Sequence, residues 1–243
     1  MKYEKFDTYT IYARLFPGVL TIIPFFVLWF FLRKDMEILN LEKYLLNIKI
    51  TSSITILVVL MYINAMIIRQ VSKYYESKYF IKKEGFPTTY LMTYKNNTFS
   101  KDYKNQYREK IKRQFDIKLL NEIEEAVDYQ EAIKLLNEAS KQVVLYVKDG
   151  HLVKQHNIWY GFSRNLIGGT IIGTILCLIN IILGLLINIK LSIISTAIII
   201  IYVLIFLFRK SILEYNAEAY AKQLIAEYIQ SPGSGRVKGV VGQ

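Results

Sequence analysis

Leu166–Ile187 reads LIGGTIIGTILCLINIILGLLI, and Leu191–Phe208 reads LSIISTAIIIIYVLIFLF. Neither stretch contains Asp, Glu, Lys, Arg or His. A helix in a water-soluble core rarely stays uncharged for so long, whereas about 20 apolar residues are what a helix needs to cross about 30 Å of hydrocarbon. The two therefore read as a membrane hairpin, closed by Asn188, Ile189 and Lys190. Two more blocks of the same kind lie upstream: Leu15–Phe31 (LFPGVLTIIPFFVLWFF) and Ile50–Ile68 (ITSSITILVVLMYINAMII). The first reads as a retained span and not a cleaved leader. Its flank carries Glu4 and Asp7 beside Lys2, Lys5 and Arg14, and Arg33-Lys34-Asp35 follows it in place of a small-residue cleavage site. Pro17 and Pro24 each remove a backbone donor, so local breaks in the hydrogen bonding of this span are expected.

The rest of the chain supports a segregated molecule. Of the 243 residues, 53% are hydrophobic and 21% charged, yet the net charge is +11. Mean hydropathy is +0.24. Strong basicity and an apolar average coexist only because the charge is concentrated between and around the apolar blocks. This excludes a soluble enzyme with one ordinary core, and equally a disordered or disulfide-built protein; the single Cys177 has no partner for an intrachain bridge. The basic residues also orient the chain. The flank 1–14, the region 69–165 and the tail 209–243 hold 26 of the 31 Lys and Arg, and the two remaining loops hold 5. Lys and Arg favour the cytoplasmic side, so both termini and the central region are expected there. The expected fold class is an all-α membrane protein: four transmembrane helices, with a helical cytoplasmic domain inserted between spans 2 and 3. In segments, this is an N-terminal transmembrane hairpin (1–68), a cytoplasmic helical domain (69–165), a C-terminal transmembrane hairpin (166–208), and a cytoplasmic amphipathic helix with a disordered tail (209–243). From Ser231 the sequence turns to SPGSGRVKGVVGQ, foreign in composition to the Ile/Lys/Asn-rich remainder.

Region 69–165 carries 18 basic and 12 acidic residues. The second span is expected to run on as a helix to Gly85-Phe86-Pro87, a common stop signal. Thr88 to Asn97 reads as a short extended piece. Ser100 is placed to cap a helix reaching Phe115. Glu122 to Asp149 reads as one or two helices, in which Ala132, Leu136, Ala139, Val143 and Val147 form a buried stripe. His151 to Arg164 leads into the third span.

The helix after Ser100 carries the densest pattern. Tyr103, Tyr107, Ile111 and Phe115 recur every four residues on one side, and Lys104, Arg108 and Lys112 on the adjacent side, with Lys101, Lys110 and Arg113 adding charge. Cations for phosphate and rings for stacking make a nucleic-acid or nucleotide surface, so Lys101, Lys104, Tyr107, Arg108, Lys112 and Arg113 are candidate ligand-binding residues. Contact with anionic headgroups, or aromatics packed inward under solvated lysines, fits the same pattern. Glu122, Glu124, Glu125, Asp128 and Glu131 do not converge on one helix face, and read as a solvated helix start or a partner for the basic helix. His151 and His156 lack metal-ligand spacing, and Cys177 lies mid-membrane away from any base. Neither a P-loop nor GxGxxG, GxSxG or HExxH is present, so no metal, cofactor or enzymatic activity is expected.

In the third span Gly169, Gly173, Cys177, Asn180 and Gly184 share one stripe, with Thr170 and Thr174 at its edge. Such a stripe either packs against a neighbouring helix or lines a narrow polar pore in an oligomer. The second span has a polar end (Thr51, Ser52, Ser53, Thr55). The lack of ionisable residues in any span weighs against a proton-coupled transporter.

Three runs carry a likeness: Gly85-Phe86-Pro87-Thr88-Thr89, Tyr107-Arg108-Glu109-Lys110-Ile111, and Asn157-Ile158-Trp159-Tyr160-Gly161-Phe162-Ser163-Arg164-Asn165-Leu166 with Gly168 just after. They resemble a group of bacterial four-span membrane proteins found beside nucleotidyltransferases in phage defence, of the Hailong type. The likeness spans roughly 15–210. It implies a homo-oligomeric ion channel in the bacterial inner membrane, controlled by a single-stranded oligonucleotide or nucleotide signal. Tyr160, Arg164 and Asn165 sit where the cytoplasmic region meets the third span, so they are candidates to couple a binding event to it; an Arg164 that only snorkels to headgroups fits the same position. Ser163 departs from the Arg found in many relatives. A membrane-anchored sensor or scaffold that recruits a cytoplasmic partner and conducts nothing is the rival expectation.

Overall fold

The computed structural model describes residues 7–38, 50–83 and 85–232, with the side chains of 33–38 and 50–57 excepted. The described residues are helical and include no strand. A π-helical turn, Thr10–Leu15, opens α1 (Phe16–Ile38). The chain continues through α2 (Ile50–Ile81), the single turn α3 (Pro87–Tyr90), α4 (Lys101–Phe115), α5 (Glu122–Val127), α6 (Tyr129–Val147), α7 (His151–Leu186), α8 (Ile189–Leu207) and α9 (Arg209–Gln230). Three helical stretches among the described residues are long and apolar enough to cross a membrane: Thr10–Leu32, α7 and α8. The block Ile50–Ile68 forms the first part of α2. Lys2, Lys5, Lys43, Lys49, the side chains of Arg33, Lys34, Thr51, Ser52, Ser53 and Thr55, and the tail 233–243 lie outside the described residues.

The chain divides into two compact units: Met1–Ser77 with Ile158–Leu213, and Lys78–Asn157 with Glu214–Gln243. These edges fall beyond the hydropathy edges at 68, 166 and 208, because α2 and α7 are continuous helices that run past their apolar residues, and the first turn of α9 belongs to the first unit.

The first unit is built from the apolar helices, and prolines decide how they are joined. Pro17 has no N–H for the carbonyl of Ala13, and Pro24 has none for Leu20. Asn165 Nδ2 donates to Ala13 O at 2.5 Å, and the Tyr202 hydroxyl donates to Leu20 O at 2.8 Å. Both carbonyls freed by proline are thus met by side chains of α7 and α8, which a water-free interior requires. The π turn just before Pro17 is the other accommodation to the missing donor. Two further bonds reach α1: Asn180 Nδ2 to Pro24 O at 2.7 Å, and Asn64 Nδ2 to Gly18 O at 3.1 Å.

Glycines let these helices approach. A Cβ on Gly168 would collide with Ser72, on Gly169 with Thr21, on Gly173 with the Tyr202 ring and on Gly184 with Ser192. Gly18 faces Ala65, whose Cβ would lie 3.4 Å from its own. The hairpin between α7 and α8 is closed by Asn188, whose side chain caps α8 by accepting from the Lys190 amide at 3.1 Å.

The second unit is a small helical bundle. Its core brings Leu91 and Met92 together with Tyr107 and Ile111 of α4, Leu136, Ala139, Val143 and Val147 of α6, and Ala221, Leu224, Ile225 and Tyr228 of α9. The expected α6 stripe is buried at all five positions. Ser100 caps α4 by accepting from the Tyr103 amide at 3.2 Å. Asn121 and Glu124 form a capping box on α5, and Asp128 caps α6. The extended piece expected at Thr88–Asn97 does not form. Pro87, preset for a first helical turn, starts α3, and turns follow to Asn96. Gly85 has φ +121°, a conformation closed to L side chains, and its amide closes the end of α2 on Phe80 O at 2.9 Å.

Candidate functional site

Six residues of α4 are the expected ligand surface, and the structure divides them. Lys101, Lys112 and Arg113 are exposed, whereas Tyr107, Lys104 and Arg108 are buried. Helical geometry accounts for this: α4 packs on α6 and α9 through Tyr107 and Ile111, and the neighbouring loop 94–97 and α5 close over the Lys104/Arg108 face. Lys104 is 2% exposed and its ammonium donates to Asn96 O. Arg108 is 8% exposed, donates Nη2 to Glu125 Oε2 at 2.9 Å and Nε to Leu120 O at 3.0 Å, and lies 4.0 Å from the Tyr94 ring centre. Glu125 is completed by the Tyr94 amide at 2.6 Å.

Burial, and then the charge of Arg108, pull Lys104 below the ordinary lysine range, with Glu125 and Glu122 opposing. This half of the stripe is therefore a built-in ion-pair layer and not a phosphate surface. The reading of Glu125 as part of a solvated face is corrected by the same contacts. Lys101 pairs at the surface with Glu122, at 2.6 Å. Lys110 caps the end of α9, donating to Tyr228 O and Ser231 O at 2.5 Å each, where a cation meets the negative end of the helix dipole.

The third-span stripe is likewise assigned. Gly169, Thr170, Gly173, Cys177, Asn180 and Gly184 are buried, the three glycines and Asn180 against the chain's own α1 and α8, and Thr174 is half-buried. Of the two readings of this stripe, packing is the one the contacts describe. Within the apolar blocks the side chains that α7 and α8 turn outward are mostly apolar, among them Ile175, Leu178, Ile182, Ile193, Ile200 and Leu204, with Thr196 a polar exception.

Tyr160, Arg164 and Asn165 come together, and around a residue that sequence reasoning passed over. Glu76, 6% exposed, accepts from the Tyr160 hydroxyl and from Arg164 Nη1, which is 3.3 Å from both carboxylate oxygens. Arg164 also sits 5.8 Å from the Tyr160 ring centre. One residue further, Asn165 reaches α1 through Ala13 O. Three helices thus meet at this level through charge-assisted or otherwise obligatory bonds. Gly161 makes the approach possible, since a Cβ there would meet Ala13 Cβ and the Tyr9 hydroxyl at 2.9 Å each. Ser163, which departs from the resemblance, is buried in the same packing. The signal that could have found Glu76 is its isolation: it is the only acidic residue between Ile50 and Lys83, on a helix emerging from an apolar block.

Among the described residues no group of His, Cys, Asp or Glu is arranged to hold a metal ion. His151 is exposed and His156 half-buried. No protein-family model matches the chain, and no curated protein or solved structure matches it.

Proposed function

We propose that this protein is a four-span effector of the bacterial inner membrane: a homo-oligomeric ion channel controlled from the cytoplasm by an anionic nucleic-acid or nucleotide signal, acting in phage defence. Ile50–Ile68 is the second of the four spans, and both termini lie in the cytoplasm. The observation that carries the reading is the Glu76–Tyr160–Arg164 cluster. It ties α2 to α7 where each helix passes from apolar to charged sequence, so a change in that network alters how two spans are held together. A nucleotidyltransferase neighbour as the source of the signal is supported by the resemblance of Asn157–Leu166 alone. In this reading Lys101, Lys112 and Arg113 are the α4 residues left to meet a signal. Any conducting path lies between copies, because the polar stripe of α7 is spent inside each one.

That same consumed stripe favours a second reading, a non-conducting membrane sensor or scaffold. Ion flux from liposomes containing the purified protein, with and without short single-stranded oligonucleotides at two salt concentrations, separates the two. A channel gives flux that the oligonucleotide changes, more strongly at low salt. Folded, oligomeric protein that passes no ions under any condition overturns the channel and leaves the scaffold.

A further inference from the structure

Three of the four apolar blocks of the first unit are bordered on the same side by these cations: Arg14 before Leu15, Arg69 after Ile68, and Arg164 before Leu166. The fold brings these borders together. Asn165 is bonded to Ala13 O beside Arg14, Arg164 is bonded to Glu76, and Gly168 is pressed on Ser72. Lys73 follows Arg69 by one helical turn and precedes Glu76 by three residues, so Arg69, Lys73 and Glu76 share one side of α2. Lys73 feels all of these charges. Arg69 above all, then burial, then Arg164 and Arg14 lower its affinity for a proton, and Glu76 opposes them.

The imbalance is plain: four cations surround a single carboxylate, and among the described residues Arg164 is the only one of the four in an ion pair. The Nε atoms of Arg14, Arg69 and Arg164 are all buried without a hydrogen-bond partner. Buried donors of charged groups normally find acceptors. Three guanidinium groups, each with its Nε–H unspent, are suited to the several acceptor oxygens that one phosphate presents.

The depth of this cluster has a second marker. Tyr12, Phe16, Phe162 and Trp159 form a chain of rings at the same level, with centroid separations of 6.5, 6.4 and 6.0 Å in turn. Tyr12, Phe16 and Trp159 are each about half exposed. Exposed aromatics beside the ends of apolar helices mark the headgroup level of a bilayer.

We propose that Arg14, Arg69, Lys73 and Arg164 form a phosphate-binding site at the membrane interface, and that its occupant is the phosphate of an anionic lipid headgroup. Basic pockets between membrane helices on the cytoplasmic side have this chemistry. Glu76 holds Arg164 in position and keeps the site from being uniformly repulsive before the lipid enters. The proposal rests on the membrane placement of these helices and not on conduction, so a protein that carries no ions leaves it intact.

Native mass spectrometry of the delipidated full-length protein in detergent tests it, with phosphatidylglycerol, phosphatidylcholine and inorganic phosphate as separate probes. The expected result is phosphatidylglycerol retained at one per subunit, with R69Q and K73Q each weakening it about tenfold, as loss of one charge-assisted contact does. K141Q, at an exposed position of α6 in the other unit, leaves binding unchanged. Lys73 is exposed, so K73Q tests the site even where R69Q fails to fold. Inorganic phosphate that binds and displaces phosphatidylglycerol at equal concentration overturns the lipid as occupant. Phosphatidylcholine retained as well as phosphatidylglycerol, or phosphatidylglycerol binding indifferent to both substitutions, overturns the site.

Discussion

Glu76 and Arg108 show how burial changes the meaning of a charge. Each is an ion on a helix face that would carry little energy at a surface, where ion pairs contribute about 0–1 kcal/mol. Inside, the partner becomes obligatory. Removing one member of the Arg108–Glu125 pair leaves the other charge uncompensated, at a cost of about 3–5 kcal/mol. Glu125→Gln is therefore expected to lower the denaturation midpoint of the detergent-solubilised protein sharply, while Glu122→Gln, whose partner Lys101 is at the surface, shifts it little. Equal effects would contradict the burial assigned to Arg108.

Glu218 makes a pH-dependent contribution at the same scale. Burial raises its proton affinity, but bonds from the Tyr90 hydroxyl at 2.7 Å and from Lys222 outweigh that and hold the carboxyl below its ordinary range. A carboxyl with a depressed folded-state pKa stabilises the fold above its unfolded-state value. That stability is lost as pH falls through the folded-state value. The stability difference between wild type and Glu218→Gln, followed by thermal unfolding from pH 7 to pH 3, should be present at neutral pH and shrink on acidification. A difference that grows on acidification would reverse the sign assigned here.

Among the elements, α1 is the one whose sequence looks least suited to its role, with two prolines in an apolar helix. Its neighbours resolve this by supplying the donors that proline removes. The pairing of Pro24 with Tyr202 makes a specific expectation. Tyr202→Phe leaves Leu20 O without its side-chain donor and costs about 1–2 kcal/mol in a membrane. Pro24→Ala returns a backbone N–H to the same carbonyl, so Tyr202→Phe should cost less in the Pro24→Ala background. Unfolding of all four proteins in mixed micelles measures the coupling. Strict additivity would mean that the hydroxyl is not standing in for the missing amide. The basic helix α4 teaches the reverse lesson. Its four-residue periodicities were plain in the sequence, but which face α5 and the 94–97 loop would cover was not. Lys104 and Arg108 lie on the covered face, and Lys112, one turn on, does not.

At the scale of the molecule, charge asymmetry sets the expected topology. Single cysteines introduced by Lys43→Cys, Lys101→Cys and Lys190→Cys, in a Cys177→Ser background, report it through labelling of intact cells with a membrane-impermeant maleimide. Four spans with cytoplasmic termini expose positions 43 and 190 to the reagent and protect 101 until the membrane is opened. Labelling of 101 but not 190 would invert the orientation, and protection of 43 with labelling of 190 would remove Ile50–Ile68 as a span.

Hydropathy and charge were enough to establish the helical class of the described residues, the apolar helices of membrane-spanning length, the helix from Ser100 to Phe115, and the α6 core stripe. Those properties depend on neighbours within one helix or on transfer from water to hydrocarbon, and both are local. Tertiary structure alone decided that Glu76 meets Tyr160 and Arg164 across 84 and 88 residues. It also decided that the α4 cations divide between core and surface, and that the glycine stripe of α7 is filled by Thr21, Tyr202 and Ser192. Those outcomes depend on which helix lies against which, and a carboxylate or a glycine has the same local preference whether its partner is water, lipid or an arginine from another helix.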